Sequence, residues 1–207
     1  MRHHGGVNAD QVAMLREVLT ATGWLERTRA FARAMRISTR APGGLMLMGG
    51  PDDEPWHLAA HLDDESRFNA LPELAPTLVR WAPPAGAPPH LRIGLDRLAA
   101  ARRGETLVVV TEETAPVPLL ERVDEARRTG ATILCVDAGD RELEDLAHDA
   151  LVVPARQPLV TFDGAQHLVS AAAGEPMPGG GARRSGLRDR LARLLDTLGG
   201  PAPDRGP

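Results

Sequence analysis

Residues 106–137 constrain the fold of this chain more than any other stretch of its sequence. The segment begins with an apolar, β-branched run at 107–110, which is too short for a helix and typical of a buried strand. A second apolar run at 132–136 follows the helix-stop signal Thr129-Gly130. Between the two runs, apolar residues recur at helical spacing at Leu119, Leu120, Val123 and Ala126. Two strands joined by a crossover helix lie parallel, so this segment predicts a βαβ unit.

Further apolar runs extend the unit into a larger sheet. Short runs at 45–48, 78–81 and 150–153 predict three more strands. Helical patterns occur at 24–37, 56–62, 91–99, 142–147 and 162–173. In the helix at 56–62 we expect Trp56, Ala59, Ala60 and Leu62 to face the core. Alternating strands and helices predict an α/β fold, a three-layer αβα sandwich around a five-stranded parallel sheet, with an N-terminal helical arm.

The remaining segments suggest a single core domain with extensions. A chain of 207 residues accommodates one α/β domain of ordinary size. We divide it into a helical arm at 1–40, a core at 41–173, a Gly/Pro-rich linker at 174–182, an amphipathic basic helix at 183–198 and a disordered tail at 199–207. The arm carries an apolar stripe formed by Val12, Leu15, Val18 and Leu19. This stripe needs an apolar partner, in a second copy of the chain or in its own body.

Composition argues against several classes of function. The formal net charge of -4 and the aromatic content of 3% do not suit a nucleic-acid-binding surface. The sequence contains no apolar run near 18 residues and no export-type N-terminus, so we expect a cytoplasmic protein without a membrane span. The single cysteine, Cys135, lies within an apolar strand, where we expect a buried small hydrophobe and no internal disulfide.

Four segments carry a resemblance to a known family. They are GGLMLMGG at 43–50, the βαβ unit LVVVTEETAPVPLLERVDEARRTGATILCVD at 107–137, LEDLAHDALVVPA at 143–155, and FDGAQHLVSAAAG at 162–174. In this order they resemble the sugar isomerase (SIS) domain, most closely its one-domain form, the phosphoheptose isomerase-like proteins. The resemblance covers roughly residues 24–173. It implies a parallel-sheet fold, and it favours a homo-dimer or higher homo-oligomer assembled through the N-terminal helices.

The resemblance also implies two ligand-binding turns. SIS domains hold a sugar phosphate with serine hydroxyls and with the free N–H groups of the following helix N-terminus. The corresponding turns here read GPDDE at 50–54 and TEETAP at 111–116. The candidate ligand-binding residues are therefore Gly50, Asp52, Asp53, Glu54, Thr111, Glu112, Glu113 and Thr114.

These turns depart from the family pattern in a way that changes their chemistry. Thr111 and Thr114 keep a hydroxyl, whereas Glu113 stands at a serine position and Pro116 has no N–H group. A carboxylate about 4 Å from a phosphate repels each of its charges by ~4 kcal/mol at an effective dielectric constant of 20. A charge-assisted hydrogen bond contributes ~1.5–3 kcal/mol, which does not offset that repulsion. The turns therefore predict a cleft that no longer accepts a sugar phosphate.

A second interpretation gives the acidic residues a purely structural role. Acidic side chains near a helix N-terminus are stabilising by ~0.3–1 kcal/mol each. Residues 52–54 and Glu112 and Glu113 all precede predicted helices, so their carboxylates could stabilise those helices without any ligand.

The resemblance further implies an acid/base pair. Glu65 matches the position of a general base in phosphoheptose isomerases, and His167 lies on the helix that carries its histidine partner. His167 is displaced by two residues from the family's histidine. His57 and His61 have the four-residue spacing of some metal ligands, but we interpret them as partly exposed polar residues of an amphipathic helix. We predict no metal and no cofactor.

Three functions are compatible with these residues. The first is a non-catalytic or regulatory SIS-fold protein that binds a carbohydrate derivative or another small metabolite in an acidic cleft. The second is an active phosphosugar isomerase that uses Glu65 and His167. The third is a cation-dependent binding module in which Asp52, Asp53, Glu112 and Glu113 converge on a divalent cation or a basic ligand.

Overall fold

A computed structural model describes residues 17–156 and 160–177 of the chain. Its helices are α1 (Trp24–Ser38), α2 (Trp56–Phe68), α3 (Asp96–Ala99), α4 (Val117–Arg128), α5 (Arg141–Leu146) and α6 (Phe162–Ala173). Its strands are β1 (Leu45–Gly49), β2 (Pro76–Leu78), β3 (Thr106–Thr111), β4 (Thr132–Asp137) and β5 (Asp149–Val152). Short 3-10 turns lie at Pro72–Leu74 and Pro89–Leu91.

The chain divides into two compact units. Residues 27–174 form the larger one, which contains the whole sheet. The described part of the smaller unit consists of residues 17–26 and 175–177. There, residues 17–21 are helical, and the Thr22 amide and hydroxyl both donate to the Val18 carbonyl.

The sheet has five parallel strands in the order β2-β1-β3-β4-β5. Strands β3 and β4 pair from Thr106 with Thr132 through Thr111 with Asp137, and α4 connects them. The predicted βαβ unit and the predicted five-stranded parallel sheet are therefore confirmed. Both central strands are buried along their full length except for Thr132, as a parallel sheet covered on two faces requires.

Two layers of helices cover the sheet. On one face, Met46 and Met48 of β1, with Leu107 and Val109 of β3, pack in one apolar core with α3, α4 and α5. Residues that point to the other face of the sheet, such as Leu47 and Val108, are also buried. Helices α1, α2 and α6 form the layer on that other face. Helix α2 packs against α6, and Arg36 of α1 donates to the Ala173 carbonyl at the end of α6.

Two predicted elements differ from the structure near the edge of the sheet. Strand β2 lies at Pro76–Leu78 rather than at 78–81, because the chain turns away at Arg80, whose amide donates to the Ile93 carbonyl at 2.8 Å. Pro76, which has no N–H, is tolerated on this edge strand. The predicted helix at 91–99 shortens to α3, since residues 93 and 94 bridge to Arg80 instead.

The buried face of α2 also differs from the prediction. Leu58, Leu62 and Ser66 are its buried residues, whereas Ala60 is exposed and Trp56 is 44% exposed. The prediction that Trp56 and Ala60 face the core is wrong. Trp56 instead packs beneath the Arg80 guanidinium, whose central carbon lies 4.9 Å from the ring centroid.

Several predicted segments lie outside the described residues. These are residues 1–16 of the arm, most of the linker at 174–182, the basic helix at 183–198 and the tail at 199–207. Within the described ranges, none of the helices is both long and apolar enough to cross a membrane.

Candidate functional site

The strand order places a crevice between β1 and β3. From β1 the chain continues to β2 on one side, whereas β3 leads to β4 and β5 on the other. Such a switch point leaves a gap beyond the carboxyl ends of the two neighbouring strands, where ligands bind in open α/β sheets. The two turns singled out from the sequence follow these strand ends, so they meet at one place.

A cleft of about 390 Å³ occupies this position. Its lining residues are Gly50, Pro51, Asp52, Asp53, Thr111, Glu112, Glu113, Thr114 and Pro116. Of the candidate ligand-binding residues, all except Glu54 therefore lie around one cleft. Asp52, Asp53, Glu112 and Glu113 are exposed, and among the described residues none of those that line the cleft is basic. The cleft is large enough for a small metabolite and has a strongly acidic mouth.

Glu54 has a different role. Its carboxylate accepts from the Arg80 Nε at 3.0 and 2.8 Å, and both side chains are largely buried. Arg80 also covers Trp56, and the neighbouring Trp81 Nε1 donates to the Gly49 carbonyl at 2.9 Å. These contacts fasten the turn after β1 to the edge of the sheet, and Glu54 is thereby held away from the cleft lining.

Gly49 allows this turn to fold tightly over the end of β1. A Cβ atom at residue 49 would lie 2.0 Å from the Asp53 carbonyl oxygen and 2.9 Å from Pro55 Cδ. A side chain cannot be accommodated there without displacing the turn. The close approach is what carries Asp52 and Asp53 to the cleft.

Some donors of the turn after β3 are engaged within the protein or missing. The Thr111 hydroxyl donates to the Glu113 carbonyl at 2.7 Å, and the Ala115 amide donates to Asp140 Oδ2 at 2.7 Å. Pro116 and Pro118 have no N–H group. The Leu119 and Leu120 amides both donate to the Pro116 carbonyl, at 2.8 and 3.2 Å. The start of α4 therefore offers fewer amide donors than an ordinary helix N-terminus.

Two further carboxylates at the same edge of the sheet are satisfied by backbone amides. Asp137 Oδ1 accepts from the amides of Gly139 and Asp140 at 2.6 and 2.9 Å, and its Oδ2 accepts from the Cys135 thiol at 3.2 Å. Asp140 caps α5 through the Glu142 and Leu143 amides. Burial, together with Asp137, raises the pKa of the Cys135 thiol far above its ordinary value. The prediction that Cys135 is buried is confirmed.

Three histidines converge between α2 and α6. His57 Nε2 lies 2.8 Å from His167 Nε2 and 3.0 Å from His61 Nε2. One ring nitrogen from each residue falls within 4.8 Å of the other two. The rings pack edge to face or tilted, with centroids 4.4–4.7 Å apart. His57 is exposed and His61 half-buried, as the sequence predicted, but their grouping with the buried His167 was missed.

Of the predicted acid/base pair, His167 belongs to this histidine cluster and Glu65 does not. Glu65 Oε2 accepts a hydrogen bond from Asn69 Nδ2. Burial, and then the neighbouring His61 and His57, lower the pKa of His167 to about 4, with Asp163 opposing the shift. His167 is therefore a neutral imidazole at neutral pH, and Glu65 is not among the groups that set its pKa.

Two features of the site were absent from the sequence-based predictions. The i, i+4 spacing of His57 and His61 was a visible signal for the histidine cluster, but the position of His167 beside them depends on how α6 packs on α2. Asp140, at the start of α5, also has a visible N-cap signal. Its reach to the amide of Ala115 is a tertiary contact, 25 residues away along the chain.

Comparison with solved structures identifies the class of fold. A candidate phosphosugar isomerase from Silicibacter pomeroyi superposes with a TM-score of 0.54 and 14% sequence identity over 92% of this chain. The Vibrio vulnificus NanR protein, solved in complex with ManNAc-6P, matches with a TM-score of 0.47 and 12% identity. The chain spans 54% and 62% of the lengths of these two proteins. Family models and curated proteins give no match. The chain has an SIS-like fold, as the resemblance implied.

Proposed function

We propose that this chain is a non-catalytic, SIS-fold binding protein whose acidic cleft accepts a small metabolite without a phosphate group. The observation that carries the proposal is the state of the turn after β3. The Thr111 hydroxyl and the Ala115 amide are engaged within the protein, Pro116 and Pro118 have no N–H group, and the exposed side chains of the turn include Glu112 and Glu113. The site therefore presents acceptors where a phosphate ester needs donors.

Electrostatic repulsion also disfavours a phosphate ester in the cleft. A phosphate monoester carries nearly two negative charges at neutral pH. Each carboxylate about 4 Å away raises its energy by ~4 kcal/mol per charge at an effective dielectric constant of 20. Asp52 and Asp53 on the opposite rim add to the effect of the two glutamates. Hydroxyl and ammonium groups, by contrast, donate to carboxylates, so the same lining favours a polyhydroxylated or amino-bearing ligand.

The histidine geometry argues against isomerase chemistry. Proton shuttling between two carbons needs a base and an acid that both face the substrate. The Nε2 atom of His167 instead points at His57, and the Glu65 carboxylate accepts from Asn69. We infer that neither residue acts on a sugar at the acidic cleft.

Matched ligand pairs test the proposal. Melting temperature is measured with glucosamine and with glucosamine 6-phosphate, each over a titration to millimolar concentration. We expect the amino sugar to stabilise the chain by mass action, by several degrees once its concentration is about 100 times its Kd. The phosphate ester should have little effect. Stabilisation by the phosphate ester alone, or any ketose–aldose turnover, would overturn the proposal.

A charge-neutralised variant makes the test specific to the cleft. In Glu112→Gln/Glu113→Gln the discrimination against the 6-phosphate should fall by at least about tenfold, since each removed carboxylate contributes several kcal/mol of repulsion at close range. The control, Glu121→Gln/Glu142→Gln, removes the same charge from exposed helix positions outside the cleft lining. It should bind like the unmodified chain.

The clustering of four carboxylates supports a second candidate, a divalent-cation site. Mg²⁺ and Ca²⁺ prefer carboxylate oxygens, and Asp52, Asp53, Glu112 and Glu113 line one cleft. Millimolar Mg²⁺ or Ca²⁺ should then raise the melting temperature of the chain but not of a variant in which these four acids are amidated. Absence of any shift removes this candidate. Assembly into a dimer and a cytoplasmic location stay predictions.

A further inference from the structure

Trp56 is an exposed tryptophan at the first position of α2, directly after the turn that forms one rim of the acidic cleft. Its side chain is 44% exposed, whereas Trp24 is fully buried and Trp81 is half-buried. A large apolar ring that faces water forgoes the stabilisation that burial in the core brings. Its exposure is therefore better explained by a contact outside the core than by folding.

The ring is held in place from one side. The Arg80 guanidinium lies over it, with its central carbon 4.9 Å from the ring centroid, and Arg80 Nε donates to both oxygens of Glu54, at 3.0 and 2.8 Å. Both charged side chains are largely buried, so they fix the ring as well as the turn. Pro55, between Glu54 and Trp56, is also buried. A ring held in this way loses little conformational entropy when a ligand packs against it.

The ring lies near the cleft but is not part of its lining. Trp56 is three positions after Asp53, so the Cα atoms of the two residues are at most about 11 Å apart. Asp53 is a lining residue and Trp56 is not. Trp56 is therefore placed to contact a ligand that extends beyond the rim formed by Asp52 and Asp53.

The chemistry on this side of the cleft limits what can pack on the ring. Carboxylates accept from hydroxyl and ammonium groups, and an aromatic face packs against C–H groups. A sugar ring combines the two features, because hydroxyls surround its edge and C–H groups lie on its faces. A second cation is disfavoured over this ring, since the Arg80 guanidinium already lies over it and repels another positive charge.

We propose that Trp56 is a stacking platform for an uncharged second sugar ring, which extends an amino-sugar ligand out of the acidic cleft. This proposal rests on the function proposed for the cleft and narrows its ligand from a monosaccharide to a disaccharide or a longer glycan. The amino-bearing ring lies among the carboxylates, and the neighbouring ring lies on Trp56. If Trp56 only shields the Glu54–Arg80 ion pair, its loss lowers stability without changing which sugar binds best.

Matched sugars measure the contribution of the ring. Calorimetry compares the binding of glucosamine with that of glucosamine–glucose disaccharides in either linkage order, so that the second ring adds no charge. We expect at least one disaccharide to bind about tenfold more tightly than glucosamine. Trp56 is the most exposed of the three tryptophans, so the same disaccharide should shift the fluorescence emission of the chain. That shift should be absent in Trp56→Phe.

Three variants decide the outcome, and each is judged by the ratio of its two affinities, which a change in stability does not alter. Trp56→Leu keeps an apolar side chain without an aromatic face, so the gain from the second ring should fall below about twofold. Trp56→Phe should keep part of the gain. Phe68→Ala removes an exposed aromatic side chain at the far end of the same helix and should keep all of it.

Two results contradict the platform directly. One is a gain that survives in Trp56→Leu. The other is displacement of the disaccharide by millimolar choline, which would show that the ring takes a cation instead of an uncharged sugar.

The remaining outcomes separate this proposal from the one on which it rests. If glucosamine binds but neither disaccharide binds more tightly, the platform is excluded and the acidic cleft keeps its proposed ligand class. If neither glucosamine nor a disaccharide binds, both proposals fail together.

Discussion

Two pairs of acidic residues at the same edge of the sheet have opposite environments. Asp137 is the last residue of β4 and Asp140 lies in the turn after it, and their oxygens accept from backbone amides of the chain itself. Glu112 and Glu113 follow β3 one strand away, and their side chains are exposed at the mouth of a cleft. A carboxylate that already accepts several amide donors contributes to the fold. A carboxylate that faces water at a switch point is available to a ligand.

The comparison explains why the acidic composition of the turns alone is ambiguous. Helix-capping acids and ligand-facing acids occur at the same place in the sequence, immediately after a strand and before a helix. Asp140 is the capping kind, with contacts to the amides of Glu142 and Leu143. Glu113 is not, because α4 begins at Val117 behind Pro116, and the Leu119 and Leu120 amides donate to Pro116 instead. The capping interpretation thus fits the turn after β4 better than the turn after β3.

The largest effect expected from this comparison is the loss of Asp137. Asp137→Ala leaves the Gly139 and Asp140 amides without their acceptor in a fully buried position, so we expect the free energy of unfolding to fall by about 3 kcal/mol. Urea unfolding measures the change. Alkylation of the Cys135 thiol should accelerate in parallel, since that thiol reacts only on opening. Asp137→Asn, which keeps one acceptor, should lose less. An unchanged midpoint in Asp137→Ala would remove the distinction between the two pairs.

Removal of the Asp140 cap should have an intermediate effect. Asp140→Ala deletes the acceptor for three amides, but part of this turn is exposed to water, so we expect a loss of about 1–2 kcal/mol. Asp140→Asn should retain most of the stability, because asparagine is also an effective N-cap. Equal losses in the two variants would show that charge, rather than capping, is what matters at this position.

Amidation of the four cleft acids should have the smallest effect on stability. In Asp52→Asn/Asp53→Asn/Glu112→Gln/Glu113→Gln we expect the free energy of unfolding to change by no more than about 0.5 kcal/mol per residue, with a slight gain at low salt as like charges are removed. The gain should vanish at 1 M salt, where exposed charges are screened. A loss of several kcal/mol would assign these acids to the fold and make them equivalent to Asp137.

The parallel sheet could be predicted from the sequence because its signals are local. Each of the runs at 107–110 and 132–136, and the helix between them, can be recognised within a short stretch of sequence. The observed β3, α4 and β4 agree closely with these predicted ranges. The inward face of α2 could not be predicted in the same way. Trp56 is large and apolar, but Arg80 lies over its ring outside the core, a contact made across 24 residues of chain.

The candidate site was predictable to a similar extent. The meeting of the two acidic turns follows from strand order, and the resemblance had already assigned both turns to one ligand site. Two of its determinants depend on tertiary packing instead. Glu54 is drawn away by Arg80, and His167 reaches His57 only because α6 packs on α2. Spacing within one helix indicates which histidines can cooperate, but not what a neighbouring helix adds to them.

The ion pair between Glu54 and Arg80 affects how a ligand binds in the cleft and how substitutions can change its specificity. The turn after β1 forms one rim and is held in place by this pair, by Trp56 and by Trp81. Asp52 and Asp53 therefore lie on a backbone that is already fixed before a ligand binds. A ligand that touches this rim loses little freedom in ordering it, and the entropic cost of capture is correspondingly small. Substitution of either exposed acid should therefore retune what the cleft selects while the scaffold beneath it stays intact.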